Sequence, residues 1–336
     1  MTIQWTNRGT FRRVGVAVVV AAVLSAGGWI FMIRMPGKSW KGPLPRLTEK
    51  ETWLAGELRK VVTHLAVDIG ERNVSRRYEA LKQAADYIGS MLTDIGFAVK
   101  RQPFQVAGKT VENVEVEITG RDEPERVIVV GAHYDTVPGS PGANDNGSAV
   151  AAGLLLARAF FGTGPEKTQR FVFFVNEEPP YFQTDAMGSF VYARRCRERG
   201  EDVVAMFSLE TMGCFFDEQG TQKYPPPLGF VYPSTGDFIA FVGNMGSGEL
   251  VRKAVGLFRA HVSFPSEGGA LPGFIPGVGW SDHWSFWKAG YEGVMITDTA
   301  PFRYPHYHRE TDLPDKIDYE RLARVVAGVE TVLRRW

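Results

Sequence analysis

Five short segments of this 336-residue chain contain the side chains that a catalytic metal centre needs. Histidine nitrogen and carboxylate oxygen bind a catalytic zinc ion, which must keep one coordination position open for water. Zinc makes that water acidic enough to act as a nucleophile near neutral pH, and a nearby carboxylate must then accept its proton. The order of the segments suits a two-zinc hydrolase: 132–135 (AHYD), 143–146 (ANDN), 176–179 (NEEP), 208–210 (SLE) and 307–308 (YH).

His133 and Asp135 stand two residues apart at the end of a predicted strand, so their side chains point to the same side of it. His133 can bind metal while Asp135 lies behind it, because metal-bound imidazoles usually donate their other N–H to such an acceptor. A histidine with a purely structural role, satisfied by its neighbouring carboxylate, is the alternative for these two residues taken alone.

Asp145 lies in the stretch 142–147 (GANDNG), just before a predicted helix. Such residues are preferred in turns and helix caps, so a capping aspartate is the simplest interpretation of this motif by itself. The other segments favour a different role, since a carboxylate has two oxygens and can bridge two metal ions. The motif therefore suggests a metal ligand only in combination with the other four segments.

Glu177 and Glu178 follow an apolar predicted strand and precede two prolines. In an extended chain adjacent side chains point in opposite directions, so one glutamate cannot duplicate the role of the other. One as a metal ligand and one as the general base is the economical assignment. A pair of solvated acids at the start of a loop is the alternative, but Pro179 and Pro180 argue against a mobile loop because proline fixes φ.

Further polar residues lie near the ends of predicted apolar segments. Glu210 ends a strand of apolar residues, where a carboxylate is costly unless it is paired or bound to metal. His306 and His308 are two residues apart, and either is a candidate ligand. Asp282 and His283 form another polar cluster and are candidate substrate-binding residues.

The periodicity of apolar residues places these segments on an alternating series of strands and helices. Such alternation implies a mostly parallel sheet that is covered by helices on both faces. Functional groups gather at the carboxyl ends of the strands in these folds, and three of the segments come at the ends of predicted strands. Strands are predicted at 111–118, 126–130, 170–175, 203–209 and near 238–242 and 293–297, and helices at 49–68, 76–95, 147–161, 187–199 and near 247–260 and 318–335.

The N-terminal part of the chain has a different composition. Residues 14–33 carry no charge and are long enough to span a bilayer core as a helix, whereas a cleaved signal peptide, the alternative, has a shorter apolar region. We predict a short tail over 1–13, a transmembrane anchor over 14–33, a linker rich in proline and glycine over 34–47, and one catalytic domain over 48–336. The flanking positive charges are balanced and leave the orientation open.

Composition excludes some classes of partner and site. The 38 basic and 38 acidic residues give a formal net charge of zero, so no nucleic-acid partner is expected. Two cysteines, Cys196 and Cys214, are too few for a disulfide framework and lack the spacing of a zinc knuckle. The 44% of hydrophobic residues suffice for one large core. The sequence does not indicate the oligomeric state.

Taken together, the motifs resemble zinc peptidase family twenty-eight, the aminopeptidase Y and aminopeptidase S type, with glutamate carboxypeptidase II and glutaminyl cyclase as distant relatives. The resemblance covers about residues 60–335. It implies a three-layer α/β/α sandwich of the zinc exopeptidase type, with a mixed, mostly parallel central sheet. The matching motifs are 129–135 (VVGAHYD), 142–148 (GANDNGS), 176–178 (NEE), 187–189 (MGS), 281–283 (SDH) and 307–308 (YH), with Asp312 and Asp315 after the last of them.

The resemblance also implies roles for individual residues. Glu177 is similar to the family's general base, and Asp135 to the residue that orients the first histidine ligand. Glutamate at position 210, where the family commonly has aspartate, is a departure from the pattern. Tyr181 and Phe182, in a run that replaces a glycine-containing turn, are candidates for lining the substrate pocket, with ordinary core packing as the alternative. The implied metal ligands, with Asp145 bridging two zinc ions, are His133, Asp145, Glu178, Glu210 and His308.

The sequence therefore predicts a zinc-dependent exopeptidase, specifically an aminopeptidase that acts on peptides and is tethered to a membrane by one helix. The resemblance implies that its catalytic domain lies outside the cytoplasm. Two other functions remain as alternatives: an acyl transferase like glutaminyl cyclase with one zinc ion, and a non-catalytic receptor or scaffold on the same fold. None of the five predicted ligands is replaced by a residue unable to bind metal, which disfavours the receptor.

Overall fold

The computed structural model describes the backbone of residues 8–336 and the side chains of residues 12–20 and 27–336. Its strands are β1 (Lys100–Val106), β2 (Lys109–Ile118), β3 (Glu123–His133), β4 (Lys167–Phe174), β5 (Asp202–Glu210), β6 (Ile239–Asn244), β7 (Ser266–Leu271) and β8 (Gly293–Thr297). Its α-helices are α1 (Arg8–Ile33), α2 (Glu49–Thr63), α3 (Tyr78–Ile95), α4 (Ala149–Phe160), α5 (Gly188–Glu198), α6 (Gly248–His261), α7 (His283–Lys288), α8 (Ala300–Arg303) and α9 (Tyr319–Arg334).

The strands form one mixed sheet in the order β1-β2-β4-β3-β5-β8-β6-β7. The four central strands, β4, β3, β5 and β8, run parallel to one another. At one edge β1 and β2 are added in antiparallel pairs, and at the other edge the parallel pair of β6 and β7 runs antiparallel to β8. The carboxyl ends of the central strands therefore meet at one end of the sheet, where functional groups are expected.

Helices cover both faces of this sheet. On one face Val130 and Phe207 belong to a large apolar core that includes residues of α2, α3, α4, α6 and α9. On the other face Val129 and Phe174 pack in a smaller core with residues of α5 and α7. The neighbours Val129 and Val130 lie in different cores because successive side chains of a strand point to opposite faces. The predicted three-layer α/β/α architecture with a mostly parallel, mixed sheet is confirmed.

Local signals explain where several helices begin and end. Thr48 and Glu51 form a reciprocal capping box at the start of α2, which satisfies N–H groups that the first turn leaves free. The Asp318 side chain accepts a hydrogen bond from the Arg321 N–H at the start of α9. Gly96 ends α3 with a φ of 113°, a left-handed conformation that glycine adopts without strain.

The predicted helices and strands correspond to observed elements whose bounds differ by a few residues, but two strands escape prediction. β1 is largely polar and contains Pro103, and β7 (SEGGAL) contains two glycines. Both strands lie at the edges of the sheet. An edge strand pairs on one side only and tolerates proline, so its apolar pattern is weaker than that of a central strand.

The N-terminal segment of the described chain forms α1. No helix among the residues that the structure describes is long and apolar enough to cross a membrane, so the anchor predicted over 14–33 gains no support from it. The side chains of 21–26, inside that predicted anchor, lie outside the described residues, as do the side chains of 1–11 in the predicted tail.

The predicted linker over 34–47 follows the surface of the domain. The Ser39 Oγ accepts a hydrogen bond of 2.9 Å from the N–H of Ser266, the first residue of the edge strand β7. Farther along, the carbonyl of Pro45 accepts a hydrogen bond from the guanidinium of Arg324 in α9. The segment is therefore held against the domain, because its own polar groups complete hydrogen bonds there.

Candidate metal centre

Two strand ends and three connecting segments bring the predicted metal ligands together. His133 is the last residue of β3 and Glu210 the last of β5, which are adjacent parallel strands. Asp145 lies in the irregular turn between β3 and α4, and Glu178 follows β4. His308 comes from the segment between α8 and α9. The predicted ligands thus lie at the carboxyl ends of the parallel strands, where the sequence predicts a shared site.

The first group of facing side chains consists of His133, Asp145 and Glu210. The Nε2 atom of His133 lies 3.4 Å from Oδ1 of Asp145 and 3.3 Å from Oε2 of Glu210. One ligand atom from each residue lies within 4.8 Å of the others, and all three residues are buried. One imidazole and two carboxylates in this arrangement suit a zinc ion with a coordination position to spare.

The second group consists of His308, Asp145 and Glu178. The Nε2 atom of His308 lies 3.1 Å from Oδ2 of Asp145 and 3.2 Å from Oε2 of Glu178. Asp145 belongs to both groups and turns a different oxygen toward each imidazole. His306, the other histidine candidate, belongs to neither group. A carboxylate shared in this way can bridge two metal ions, as a two-metal site requires.

Four buried atoms of these groups have no hydrogen-bond partner among the described residues. They are the Nε2 atoms of His133 and His308 and both carboxylate oxygens of Asp145. Leaving a buried polar atom unsatisfied costs roughly 1–3 kcal/mol, so four such atoms facing one another need an explanation. Cations between the imidazoles and the shared carboxylate would satisfy all four. The residues present therefore fit the zinc that the motifs predict.

Glu177 lies beside the first group, and Glu178 belongs to the second. The Oε2 atom of Glu177 is 3.7 Å from Nε2 of His133, whereas that of Glu178 is 3.2 Å from Nε2 of His308. The two side chains thus reach different imidazoles, as adjacent extended residues are expected to. The backbone turns at Asn176, whose φ of 60° lies in the left-handed region that asparagine adopts more readily than most residues.

Asp135 holds this acidic pair from behind. Its Oδ1 accepts a hydrogen bond of 3.0 Å from the Glu177 N–H, and its Oδ2 accepts one of 3.1 Å from the Glu178 N–H. The Nδ1 atom of His133 lies 3.2 Å from the Asp135 carbonyl oxygen and 3.5 Å from its Oδ1. The carboxylate therefore positions the two glutamates more directly than it positions the imidazole, which extends the predicted role of Asp135.

The crowded charges of the centre shift the pKa values of its members. Burial raises the pKa of Glu177 well above its usual value. Burial also raises the pKa of Glu178, to about 7. For His308 burial acts in the lowering direction, but hydrogen bonds with Asp145 and Glu178 outweigh it and raise the pKa to about 10. Without metal the centre therefore holds protons at neutral pH, and metal binding must release them.

Glu210 reaches the centre although the family pattern has a shorter aspartate at this position. The Ser281 hydroxyl donates a hydrogen bond of 2.8 Å to its Oε2. The hydroxyl oxygens of Ser281 and Ser208 are themselves 2.8 Å apart. Two serines thus hold the longer side chain with its oxygen 3.3 Å from Nε2 of His133. Ser281 is the first residue of the motif 281–283 (SDH), and the sequence alone assigned it no role.

Asp312 fixes the turn that carries Asp145. Its Oδ1 accepts hydrogen bonds of 2.8 Å from the Asn144 N–H and 2.7 Å from the Tyr304 hydroxyl, and its Oδ2 accepts one of 3.0 Å from the Asp145 N–H. Asp312 follows the motif 307–308, but no local pattern in the sequence predicts that it holds the turn of Asp145. The two residues are 167 positions apart, and local sequence patterns do not record contacts over such a distance.

Arg72 is a fully buried cation that no motif singles out. Burial lowers its pKa to about 10, while the nearby charge of Asp135 acts in the opposite direction. Nothing in the sequence distinguishes it from Arg76 and Arg77, which are exposed. It stabilises the loop between His133 and Asp145 by donating to five backbone carbonyls, those of Tyr134, Pro141, Gly142, Leu65 and Gly70.

A cavity of about 90 Å³ opens beside Glu210. The register of four strands places Glu210 opposite Thr297, Thr297 opposite Ala240, and Ala240 opposite Glu267. All four line the cavity, and the small side chains of Thr297 and Ala240 leave its floor open between the two glutamates. The walls are mostly aromatic and aliphatic, and include Tyr224, Leu228, Phe238, Val278, Trp280 and Phe302.

The four residues predicted to bind substrate do not line this cavity. Tyr181 and Phe182 are half-buried, and Tyr181 packs against the main core. Asp282 and His283 are fully buried, and Nε2 of His283 donates a 2.8 Å hydrogen bond to the Val278 carbonyl. Asp282 and His283 therefore lie inside the protein, and the lining of the cavity comes from other segments.

A family model described as Peptidase family M28 matches residues 113–333 of the chain. The chain belongs to peptidase family M28. The matched range contains all five predicted metal ligands, and the resemblance drawn from the motifs is confirmed. Membership in this family makes the protein a metallopeptidase, and zinc is the metal that the family and its named relatives support.

Two relatives illustrate this membership. The chain is 34% identical over 286 residues to the uncharacterized protein YfbL of Escherichia coli K12, across 82% of this chain and 87% of that protein. It is 25% identical over 284 residues to a probable zinc metalloprotease of Pyrenophora tritici-repentis, across 74% of this chain and 56% of that protein. The chain therefore spans little more than half of the fungal relative.

Two solved structures share the fold. The zinc aminopeptidase BSAP of Bacillus subtilis has a TM-score of 0.67 and 17% identity, with 87% of this chain and 96% of that chain covered. The glutaminyl cyclase of Fimbriiglobus ruber has a TM-score of 0.63 and 20% identity, with 88% of this chain and 98% of that chain covered. The two neighbours have different reactions, so the choice between them must come from the site.

Proposed function

We propose that this member of family M28 is a zinc aminopeptidase with two metal ions. The observation that carries the proposal is the position of Asp145 in two groups of ligands, each completed by one histidine and one glutamate. A one-zinc acyl transferase needs only one such group. The names of the Bacillus subtilis zinc aminopeptidase and of the fungal zinc metalloprotease agree with this choice of metal and reaction.

The two groups define how the ions would be held. His133 and Glu210 would bind one zinc ion, and His308 and Glu178 the other, with one oxygen of Asp145 for each. Zinc in these positions supplies Lewis acidity, which polarises a carbonyl group and makes water a stronger acid. The hydrogen bonds from Ser281 and to Asp312 keep the ligand side chains in place.

Glu177 acts as the general base. Burial raises its pKa, so its carboxylate accepts a proton more readily than that of an exposed glutamate. Its Oε2 lies 3.7 Å from Nε2 of His133, close to the first group without belonging to it. The residue accepts the proton of the attacking water and passes it to the leaving amine, while the hydrogen bond to Asp135 holds its backbone.

The cavity beside Glu210 holds the side chain of the first substrate residue. Its aromatic and aliphatic walls favour a large apolar side chain. Glu267 at the far end lies 3.4 Å from the guanidinium of Arg259, so its charge is already compensated and does not select a cationic side chain. The excess of carboxylates at the metal centre attracts the positively charged amino terminus of a peptide.

An assay on the purified full chain tests this function. We expect it to release leucine and phenylalanine from peptides with a free amino terminus, to lose activity on chelation, and to regain it with zinc. Acetylated peptides of the same sequence are the control and should not react. Cyclisation of N-terminal glutamine without hydrolysis would instead indicate the acyl transferase. Zinc binding without either reaction would indicate the receptor.

The location of the protein is a separate proposal that rests on the sequence alone. We infer that residues 14–33 tether the chain to a membrane, because the run is uncharged and 20 residues suffice to span a bilayer. The resemblance to the family favours a catalytic domain outside the cytoplasm. Reporter domains fused to the C-terminus should be active outside the cytoplasm. Activity of the reporters only inside the cytoplasm would contradict the orientation.

A further inference from the structure

The last turn of α1 and the segment after it are fixed to the edge of the catalytic domain. Trp29 and Ile33 pack against an apolar cluster that contains Leu228 and Leu271. Met35 is only 9% exposed and belongs to the main core. The end of α1 therefore has a defined place beside the loops that cover the substrate cavity.

Two aromatic side chains on those loops are almost entirely exposed. Phe230 is 91% exposed and Phe274 is 87% exposed, more than any other large hydrophobic side chain among the described residues. Their neighbours Leu228 and Ile275 pack in the same apolar cluster as the end of α1, so both loops emerge next to that helix. Folded proteins expose contiguous apolar surface mainly where it has a partner.

The segment that follows α1 carries exposed basic residues. Arg34, Lys38 and Lys41 are exposed on the segment that follows α1. That segment runs along the edge strand β7, because the Ser266 N–H at the start of the strand donates a hydrogen bond to Ser39. No acidic residue occurs in 34–47, 223–236 or 272–280.

We propose that Phe230, Phe274, Arg34, Lys38 and Lys41, the basic–aromatic face, bind the headgroup region of an anionic lipid membrane. Aromatic rings favour the membrane–water interface, and lysine and arginine are attracted to anionic lipids. A lipid partner is favoured over a protein because α1, whose last turn packs beside this face, exposes valines by 50–62% over the described residues 14–20. Lying on a bilayer surface is a different property from crossing the bilayer.

Binding in this way places the substrate cavity beside the lipid surface. Leu228, Leu271 and Val278 line the cavity next to Glu210 and also form the cluster under the basic–aromatic face. If the proposed aminopeptidase function holds, peptides attached to a membrane surface are the substrates closest to the cavity. The membrane-binding proposal itself does not depend on that reaction, and its test uses no activity.

Hydrogen exchange of the full chain tests the face separately from α1. We expect amides of 225–232 and 272–280 to become protected when vesicles of phosphatidylcholine and phosphatidylglycerol are added. Vesicles of phosphatidylcholine alone should protect them much less. The loop 161–165, which connects α4 to β4 and contributes no residue to this face, serves as the control and should not change. The proposal is overturned if the protein cosediments with the vesicles while both loops exchange as in solution, or if it does not cosediment at all.

Substitutions separate the aromatic and basic contributions. Phe230→Ser with Phe274→Ser should remove the protection of both loops, whereas Val67→Ser, at another residue that is 58% exposed, should not. Replacing Arg34, Lys38 and Lys41 by glutamine should weaken partition to the anionic vesicles by about fivefold for each charge removed. An unchanged melting temperature shows that each variant is folded. If the glutamine variants bind anionic vesicles as strongly as the wild type does, the choice of anionic lipid is overturned.

Discussion

The backbone N–H of Asp145 donates a hydrogen bond of 3.0 Å to Oδ2 of Asp312, which lies 167 residues farther along the chain. Asp145 is the residue that both candidate ligand groups share, so Asp312 fixes the position of the shared carboxylate. Oδ1 of Asp312 accepts hydrogen bonds from the Asn144 N–H and the Tyr304 hydroxyl, so both of its oxygens take part in holding this turn.

Asp312→Asn should lower the affinity for zinc. The amide keeps only one acceptor atom, so one of the backbone N–H groups loses its partner and Asp145 is held less firmly. Changes to residues that orient metal ligands typically cost about 10–100-fold in metal affinity. Competition with a chromogenic chelator measures the effect, and Asp315→Asn, at an exposed residue of the same segment, is the control. Equal zinc affinities for the two variants would contradict the role of Asp312 in positioning Asp145.

The acidic pair should separate into two phenotypes. Glu177→Gln should reduce turnover by at least about 10²–10⁴-fold, because glutamine keeps the shape of the side chain but cannot accept a proton. Its zinc content should stay near that of the wild type, since Glu177 belongs to neither ligand group. Glu178→Gln should lose zinc as well, because its Oε2 faces Nε2 of His308 at 3.2 Å. Metal analysis and kinetics of both variants distinguish the roles. The reverse pattern would show that the roles are exchanged.

Zinc binding should release protons at neutral pH and become tighter as pH rises. In the metal-free protein the pKa of His308 is raised to about 10 and that of Glu178 to about 7. Both must be deprotonated to bind a cation, so at pH 7 bound protons compete with zinc, and the competition fades as pH rises through these pKa values. Calorimetry in two buffers of different ionisation enthalpy counts the released protons. No release at pH 7 would contradict the proposed charge state.

Arg72→Met should destabilise the fold. Methionine fits the apolar part of the site but removes a donor from five carbonyls, of which only those of Leu65 and Gly142 keep a backbone N–H partner among the described residues. Unsatisfied buried groups of this kind cost at least roughly 3 kcal/mol together. Urea unfolding of the metal-free protein measures the difference, and Arg76→Met, at an exposed position, should stay within about 0.5 kcal/mol of the wild type. A small effect at Arg72 would mean that water replaces the guanidinium.

Ala240→Phe should change the substrate preference. Ala240 lies on the floor of the cavity between Glu210 and Glu267, so a larger side chain there fills space that a leucine or phenylalanine of the substrate would occupy. We expect kcat/KM for phenylalanyl peptides to fall by roughly tenfold or more, and that for alanyl peptides to fall less. Zinc content and melting temperature serve as controls for folding. An equal loss on both substrates would place the side-chain pocket elsewhere.

Part of this protein is determined by short-range patterns that the sequence shows directly. Runs such as 126–130 and 170–175 predict central strands because a strand buried on both faces needs continuous apolar residues. The spacing of His133 and Asp135 at the end of one of them predicts that they share a side. The common end of parallel strands then predicts one site for segments that are distant in the chain.

The tertiary structure decided what depends on contacts between distant residues. The sharing of Asp145 by two imidazoles, the support from Asp312 and the five bonds of Arg72 arise only when separate loops pack together. The cavity beside Glu210 likewise comes from strand register and from loops whose sequences have no periodicity, and Tyr181 and Phe182 do not line it. Hydrogen bonds and packing across more than a hundred residues leave no local pattern, because the pattern records only which side of its own element a residue faces.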